Sequence, residues 1–280
     1  MKSIFQITDK EENVLQEDTY FNEEDKLMYC SKCHTPRQHR LQWNGKELTP
    51  TIRCHCQKEE YEKQEAVRKQ QEFLLQQVAR LRADGLQDKT LQDYTFANDK
   101  GWNPEIHIAH DYVAHWNEMK EKSLGLLLWG NVGTGKTFFA GCIANALLDK
   151  GIPVLMTNFS RILNTLTGMY SEDRNKFIDG FHKYELLIID DLGIERNSEF
   201  ALEQVFHVID SRYRSKLPLI VTTNLTLDEM KHANDLVHSR IYDRVLERCV
   251  PLKINRQNIR QMNADKHMQE VRKLFYPTKT

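Results

Sequence analysis

Residues 130–137 read Gly130-Asn131-Val132-Gly133-Thr134-Gly135-Lys136-Thr137, the G-x-x-x-x-G-K-T spacing that can grip a polyphosphate. Glycines let successive backbone N–H groups curl around an anion, and a helix starting there adds its partial positive charge. Lys136 can reach the β- and γ-phosphates, and the Thr137 hydroxyl can ligate Mg²⁺. The apolar run 124–129 just before reads as a buried strand, and 138–148 continues with helical periodicity. That strand–loop–helix setting separates a phosphate loop from a mere Gly-rich turn. The expected ligands are ATP and Mg²⁺.

Two acids complete the chemistry. Leu186-Leu187-Ile188-Ile189 leads an apolar strand into Asp190 and Asp191, about fifty residues beyond the loop. A P-loop ATPase needs one acid to hold hydrated Mg²⁺ and one to orient the attacking water. Asp190 is assigned to the metal and Asp191 to the water; without the loop upstream, the pair would read as a polar turn. The run 219–224, Leu-Ile-Val-Thr-Thr-Asn, ends another strand in polar residues. Asn224 is expected between these acids and the γ-phosphate as a nucleotide sensor, with a helix N-cap as its plainer alternative. Arg240, Arg244 and Arg248 recur every fourth residue on one drifting helix face. They read as arginine fingers, which stabilise transition-state charge. With no second P-loop in the chain, they would act on a neighbouring subunit's ATP. Asp243 and Glu247 beside them leave a solvated charged face as the alternative.

A second chemistry lies near the N-terminus. Cys30-x-x-Cys33 and Cys54-x-Cys56 bracket twenty residues that include a hairpin signal at Asn44-Gly45. Paired thiolates at this spacing match a structural zinc ribbon, although the second pair departs from the commoner two-residue gap. His34, His39 or His55 could replace one thiolate. Zn²⁺ is expected to be structural, since a segment this poor in apolar residues cannot fold unaided.

Around these sites the chain organises itself as three segments. Residues 1–57 are an acidic arm and the zinc module; the first 25 carry eight carboxylates against two lysines, interleaved with Ile4, Phe5 and Ile7. The arm reads as solvated chain or as a segment that docks on a partner. Residues 58–89 form a polar helical linker closed by Asp84-Gly85, and 90–280 form the ATPase domain. There, strands at 124–129, 153–157, 185–190, 218–222 and 249–254 alternate with helices near 104–120, 137–150, 159–170, 173–183, 198–215, 233–248 and 256–274. Such alternation predicts an α/β fold with a parallel five-stranded sheet flanked by helices. A net charge of −1 excludes a protein coated in basic charge. No run is long enough to span a membrane and no secretory signal opens the chain, so a cytoplasmic protein with reduced cysteines is expected.

Taken together, the paired cysteines, the linker helix, Thr-Phe-Ala-Asn at 95–98, the phosphate loop, Leu-Ile-Ile-Asp-Asp-Leu-Gly, Thr-Thr-Asn and Ser-Arg-Ile-Tyr-Asp-Arg resemble the DnaC/DnaI-type replicative helicase loaders. These are AAA+ ATPases close to the IstB-type transposition helpers. The resemblance covers about residues 90–262 and, further upstream, only the cysteines. It implies Lys136 and Thr137 at phosphate and Mg²⁺, Asp190 and Asp191 as the Walker B acids, and Asn224 as sensor I. It also implies Arg244 or its neighbour Arg240 as the arginine finger, and Arg260 as a sensor II residue touching the γ-phosphate in cis. Asp191 stands where such proteins usually have Glu, which implies slow, partner-stimulated hydrolysis. The insertion at 159–183 resembles the extra helix that faces single-stranded DNA in this clade, and it offers Arg161, Arg174, Lys176 and Lys183, with an ordinary solvated face as the alternative.

The resulting expectation is an ATP-dependent loader. It would bind a hexameric replicative helicase through its N-terminal module, and single-stranded DNA and ATP through its AAA+ domain. Its copies would associate on the helicase or the DNA. A transposition helper and an ATP-binding adaptor with negligible turnover are the alternatives.

Overall fold

A computed structural model of the chain describes residues 18–193, 198–233, 235–255 and 258–275. Residues 1–17 of the acidic arm and 256–257 at the start of the expected last helix lie outside the described residues. The chain divides into two units between Leu75 and Gln76.

The first unit holds two short antiparallel hairpins. One pairs β1 (Thr19–Asn22) with β2 (Leu27–Cys30); the other pairs β3 (Leu41–Trp43) with β4 (Lys46–Leu48). Asn44 and Gly45 both adopt positive φ between β3 and β4, as the Asn-Gly signal requires. Helix α1 (His55–Gly85) then runs for 31 residues. Its Gln, Glu, Lys and Arg composition favours helix, and pairs such as Arg68–Glu72 and Lys69–Glu65 line its surface.

The second unit is built on a fully parallel sheet in the order β6-β7-β8-β5-β9. In chain order its elements are α2 (Ile106–Ala114), α3 (Trp116–Glu121), β5 (Gly125–Trp129), α4 (Lys136–Asp149), β6 (Val154–Asn158), α5 (Phe159–Thr167) and α6 (Ser171–Asp179). They continue with β7 (Leu186–Leu192), α7 (Glu199–Arg214), β8 (Leu219–Thr223), α8 (Leu227–Lys231), α9 (Leu236–Arg248), β9 (Cys249–Lys253) and α10 (Ile259–Phe275). Because strand side chains alternate, each strand feeds two cores. Leu126, Leu128, Met156, Ile188 and Ile220 pack under α2 and α4, while Leu127, Leu155, Ile189 and Val221 pack under α5, α7 and α9. This is why the strands read as unbroken apolar runs.

The strands fall within a residue or two of their expected positions. The helices differ more. The stretch expected at 104–120 breaks at His115 into α2 and α3, and α9 begins three residues later than the expected 233. The separate α8 stands before it, closed by a capping box between Thr226 and Glu229.

The N-terminal ends of β7 and β8 are fastened by a side chain that makes no ion pair among the described residues. Arg212, on α7, is buried and donates to the carbonyls of Tyr184, Glu185 and Pro218 at 2.6–3.0 Å. Burial pushes its guanidinium down to about 9. The planar fork reaches three loop carbonyls, of which that of Pro218 also accepts from the Leu187 N–H of β7 at 3.4 Å. Arg212→Met should therefore lower stability by about 3–5 kcal/mol, and Arg212→Lys should not restore it. Urea titration followed by circular dichroism checks this; a midpoint unchanged in the Met variant would show the fork to be dispensable.

Candidate functional site

The phosphate loop is shaped by its own lysine. Gly130, Gly133 and Gly135 take φ of 139°, 79° and 96°, conformations that side chains resist. The loop closes round Lys136, whose Nζ donates to the carbonyls of Gly130 (2.9 Å) and Asn131 (2.8 Å) and to Asn224 Oδ1 (2.8 Å). Burial lowers the ammonium's pKa, while Asp191 and then Asp190 pull it back up. Asn131 also accepts through its carbonyl from the Thr134 hydroxyl at 2.9 Å.

The acids sit at the C-terminal end of β7. Thr137 Oγ1 lies 3.0 and 3.1 Å from the two oxygens of Asp190, the hydroxyl–carboxylate pair that a divalent cation would share. Burial raises the Asp190 pKa, against the lowering pull of the Thr222 and Thr137 hydroxyls. Asp191 lines a cavity of about 620 Å³ together with Val132 to Phe138, Asn224 and Arg260. Lys136, Thr137, Asp191, Asn224 and Arg260 thus line one cavity, and Asp190 adjoins it through Thr137. The cavity's donors, a helix N-terminus and the Lys136 ammonium, suit a polyphosphate, and Asp190 with Thr137 suits Mg²⁺.

The rest of the lining was marked in sequence only by the Thr-Phe-Ala-Asn run at 95–98, with no role read from it. Tyr94, Asn98, Trp102 and Asn103, from the irregular stretch before α2, line the same cavity. Two oddities inside α4 mark where this wall attaches. A Cβ at Gly141 would come within 2.6 Å of Tyr94 Cβ, so that glycine permits close approach. Asn145, fully buried, donates to the carbonyls of Leu91 and Tyr94 at 2.8 and 3.0 Å and accepts from Arg82 at 2.7 Å. A glycine and an asparagine inside an otherwise apolar helix are sequence signals for such a contact.

The three arginines of α9 are separated by their surroundings. Arg244 Nη2 pairs with Asp210 at 2.7 Å, and its guanidinium lies 4.6 Å from the Phe206 ring centroid. Arg248 lies over Tyr213 at 4.7 Å. Arg240 is exposed, and its side chain makes no ion pair among the described residues.

In the first unit, the thiols of Cys30, Cys33, Cys54 and Cys56 all lie within 4.8 Å of one another. Cys54 and Cys56 sulfurs are 3.3 Å apart, and Cys30 and Cys56 3.6 Å. Four sulfurs at about 2.3 Å from a tetrahedral Zn²⁺ would stand about 3.8 Å apart, so this donor set fits. The Thr35 hydroxyl draws the Cys33 thiol down to about 5, whereas Cys54, and then Cys30, crowd Cys56 up to about 12. The histidines stay out of the cluster: the His34 ring meets Tyr20 at 3.3 Å and His55 faces Glu59.

Comparison with known proteins places the nucleotide site in a family. The family described as IstB-like ATP binding protein matches residues 56–267. The chain is 28% identical over 168 residues to the replicative helicase loader DnaI of Bacillus subtilis (strain 168), covering 55% of this chain and 52% of that protein. It is 28% identical over 140 residues to the replicative helicase loader DnaC of Escherichia coli (strain K12), covering 49% and 55%. The chain thus spans about half the length of each. A crystal structure of DnaI superposes with a TM-score of 0.51 at 26% identity, covering 61% of this chain and 93% of that one. Among the described residues no helix is long and apolar enough to cross a membrane.

For the cysteine cluster the expected outcome is about one Zn²⁺ per chain at neutral pH. Cys30→Ser or Cys56→Ser should release it and unfold residues 28–57 while the second unit stays folded. Elemental analysis finding no metal in protein purified without chelator, or mass spectrometry finding disulfides between these cysteines, would contradict the assignment.

Proposed function

The chain belongs to the IstB-like ATP binding protein family, and from that premise we propose that it is an ATP-dependent loader of a replicative DNA helicase. The similarity to DnaI over the nucleotide-binding unit is the observation that carries this reading. In it, residues 1–57 hold the hexameric helicase, 58–89 connect, and 90–280 bind ATP and single-stranded DNA, the last through the cations of 159–183. Copies of the chain associate side by side on helicase or DNA.

Each site residue then has a task. Residues 130–135 cradle the phosphates with backbone N–H groups, and Lys136 neutralises charge on the β- and γ-oxygens. Thr137 and Asp190 hold Mg²⁺, which when bound withdraws charge from the phosphates. Asp191 orients the attacking water, and Asn224, already bonded to Lys136, senses the γ-phosphate. Arg260 lines the cavity and completes the cis side. The arginine acting on a neighbour's ATP is Arg240, because Arg244 and Arg248 are engaged within their own subunit. The family's name keeps a transposition helper as the second reading; the cysteine module in front of the ATPase unit favours the loader.

The test is turnover measured with and without a replicative helicase and single-stranded DNA. Both should stimulate it, and Arg240→Ala should remove the stimulated rate by a factor of about 10³ or less, depending on how fully the finger is used. Mixing Arg240→Ala with Lys136→Ala, each intact where the other is broken, should recover activity at mixed interfaces. Arg244→Ala should instead lower stability. If Arg244→Ala keeps full stability and loses turnover while Arg240→Ala keeps it, the finger is Arg244. If helicase leaves turnover unchanged and residues 1–75 fail to capture it, the loader reading fails.

A further inference from the structure

The two acids of the site are consecutive in sequence, and that poses a geometric problem. Neighbouring residues of a regular strand point to opposite faces of the sheet. A strand that aims Asp190 at Thr137 would turn Asp191 away from the cavity it lines. The chain solves this with an extra residue. Ile189 stands opposite Val221 and Leu192 opposite Thr223, so Asp190 and Asp191 together face the single residue Thr222 across the β7–β8 ladder. At this bulge Asp191 takes a φ of +60°, the left-handed region that a side chain seldom adopts.

A bulge breaks ladder bonds, and a buried N–H without a partner is rare in folded proteins. Here the Thr222 side chain supplies what the backbone cannot. Its fully buried hydroxyl accepts from the Asp191 amide at 2.9 Å and donates to Asp190 Oδ1 at 2.6 Å. The donor and an acceptor lone pair of one hydroxyl are thereby spent on the two consecutive acids. Thr223 does the like one step on, donating to the Leu192 carbonyl at 2.7 Å where the ladder resumes.

We propose that Thr222 is the positioning residue for both acids: its hydroxyl locks the bulge, which turns Asp191 into the cavity while Asp190 stays beside Thr137. Thr222 does not line the cavity; its hydroxyl acts through the Asp190 carboxylate and the Asp191 backbone amide. The catalytic consequence rests on the ATP reading above; the hydroxyl's bonds do not.

Thr222→Val keeps shape and strand preference and removes both bonds, whereas Thr222→Ser keeps them. Three readings on the full chain test the proposal. Amide hydrogen exchange at Asp191, without nucleotide, should be slow in wild type and in Thr222→Ser and about tenfold or more faster in Thr222→Val. Affinity for a fluorescent ATP analogue in EDTA should stay within about twofold in all three, while the gain on adding Mg²⁺ shrinks in Thr222→Val alone. Turnover should fall about 100-fold in Thr222→Val and stay within about threefold in Thr222→Ser, since misplacing reacting groups by an ångström has effects of that size. Should the valine variant not fold, Thr222→Ala removes the same hydroxyl and carries the same readings. The proposal is overturned if the Asp191 amide stays protected without the hydroxyl, if Thr222→Ser behaves like Thr222→Val, or if the Mg²⁺ response survives the loss. A wild type that neither binds ATP nor responds to Mg²⁺ would remove the ATP reading instead, and the exchange measurement would still decide the bond.

Discussion

Lys136 carries a positive charge into a place only 5% exposed to solvent, and the end of the sheet is arranged around that charge. A buried ammonium without partners is prohibitively unstable. Two of its three acceptors, the carbonyls of Gly130 and Asn131, belong to the loop itself. For them to point inward the loop must curl tightly, and the positive φ of Gly130, Gly133 and Gly135 makes that curl possible. The third acceptor, Asn224, directly follows β8, so the same charge ties the phosphate loop to the strand beside it.

That strand carries more than one duty. Thr222, Thr223 and Asn224 follow one another at the end of β8, and each uses its side chain on a different neighbour: the acids, the resumed β7 strand and the lysine. The residues proposed for metal, water and γ-phosphate are therefore tied to a single strand end, the most central in the β6-β7-β8-β5-β9 order. A parallel sheet places all its strand ends on one side, which is where a ligand cleft forms in such folds. Both faces of the sheet are covered by helices, so this end is held from either core.

What could be read in the sequence followed from local rules. Apolar runs gave five parallel strands, and G-x-x-x-x-G-K-T gave the loop, because each depends on residues close in sequence. Asn44-Gly45 gave the β3–β4 turn for the same reason. The capping box at Thr226-x-x-Glu229 is equally local and marks the start of α8. Other features depend on distant partners. Only the fold shows Arg244 seated on Asp210, or Tyr94 lying against Gly141, and the β7 bulge is invisible in a run that reads simply as apolar residues followed by two acids. The spacing of Arg240, Arg244 and Arg248 was plain in sequence, but that Arg244 and Arg248 are engaged within the fold was a tertiary matter.

In the function proposed above, the Lys136 charge serves a triphosphate. Titration of a fluorescent ATP analogue into wild type and Lys136→Ala, with circular dichroism on both, tests it most directly. Affinity should fall at least about a hundredfold, matching the loss of a charged contact of roughly 3 kcal/mol, while the spectra stay alike. Equal affinity in two folded proteins would contradict the account.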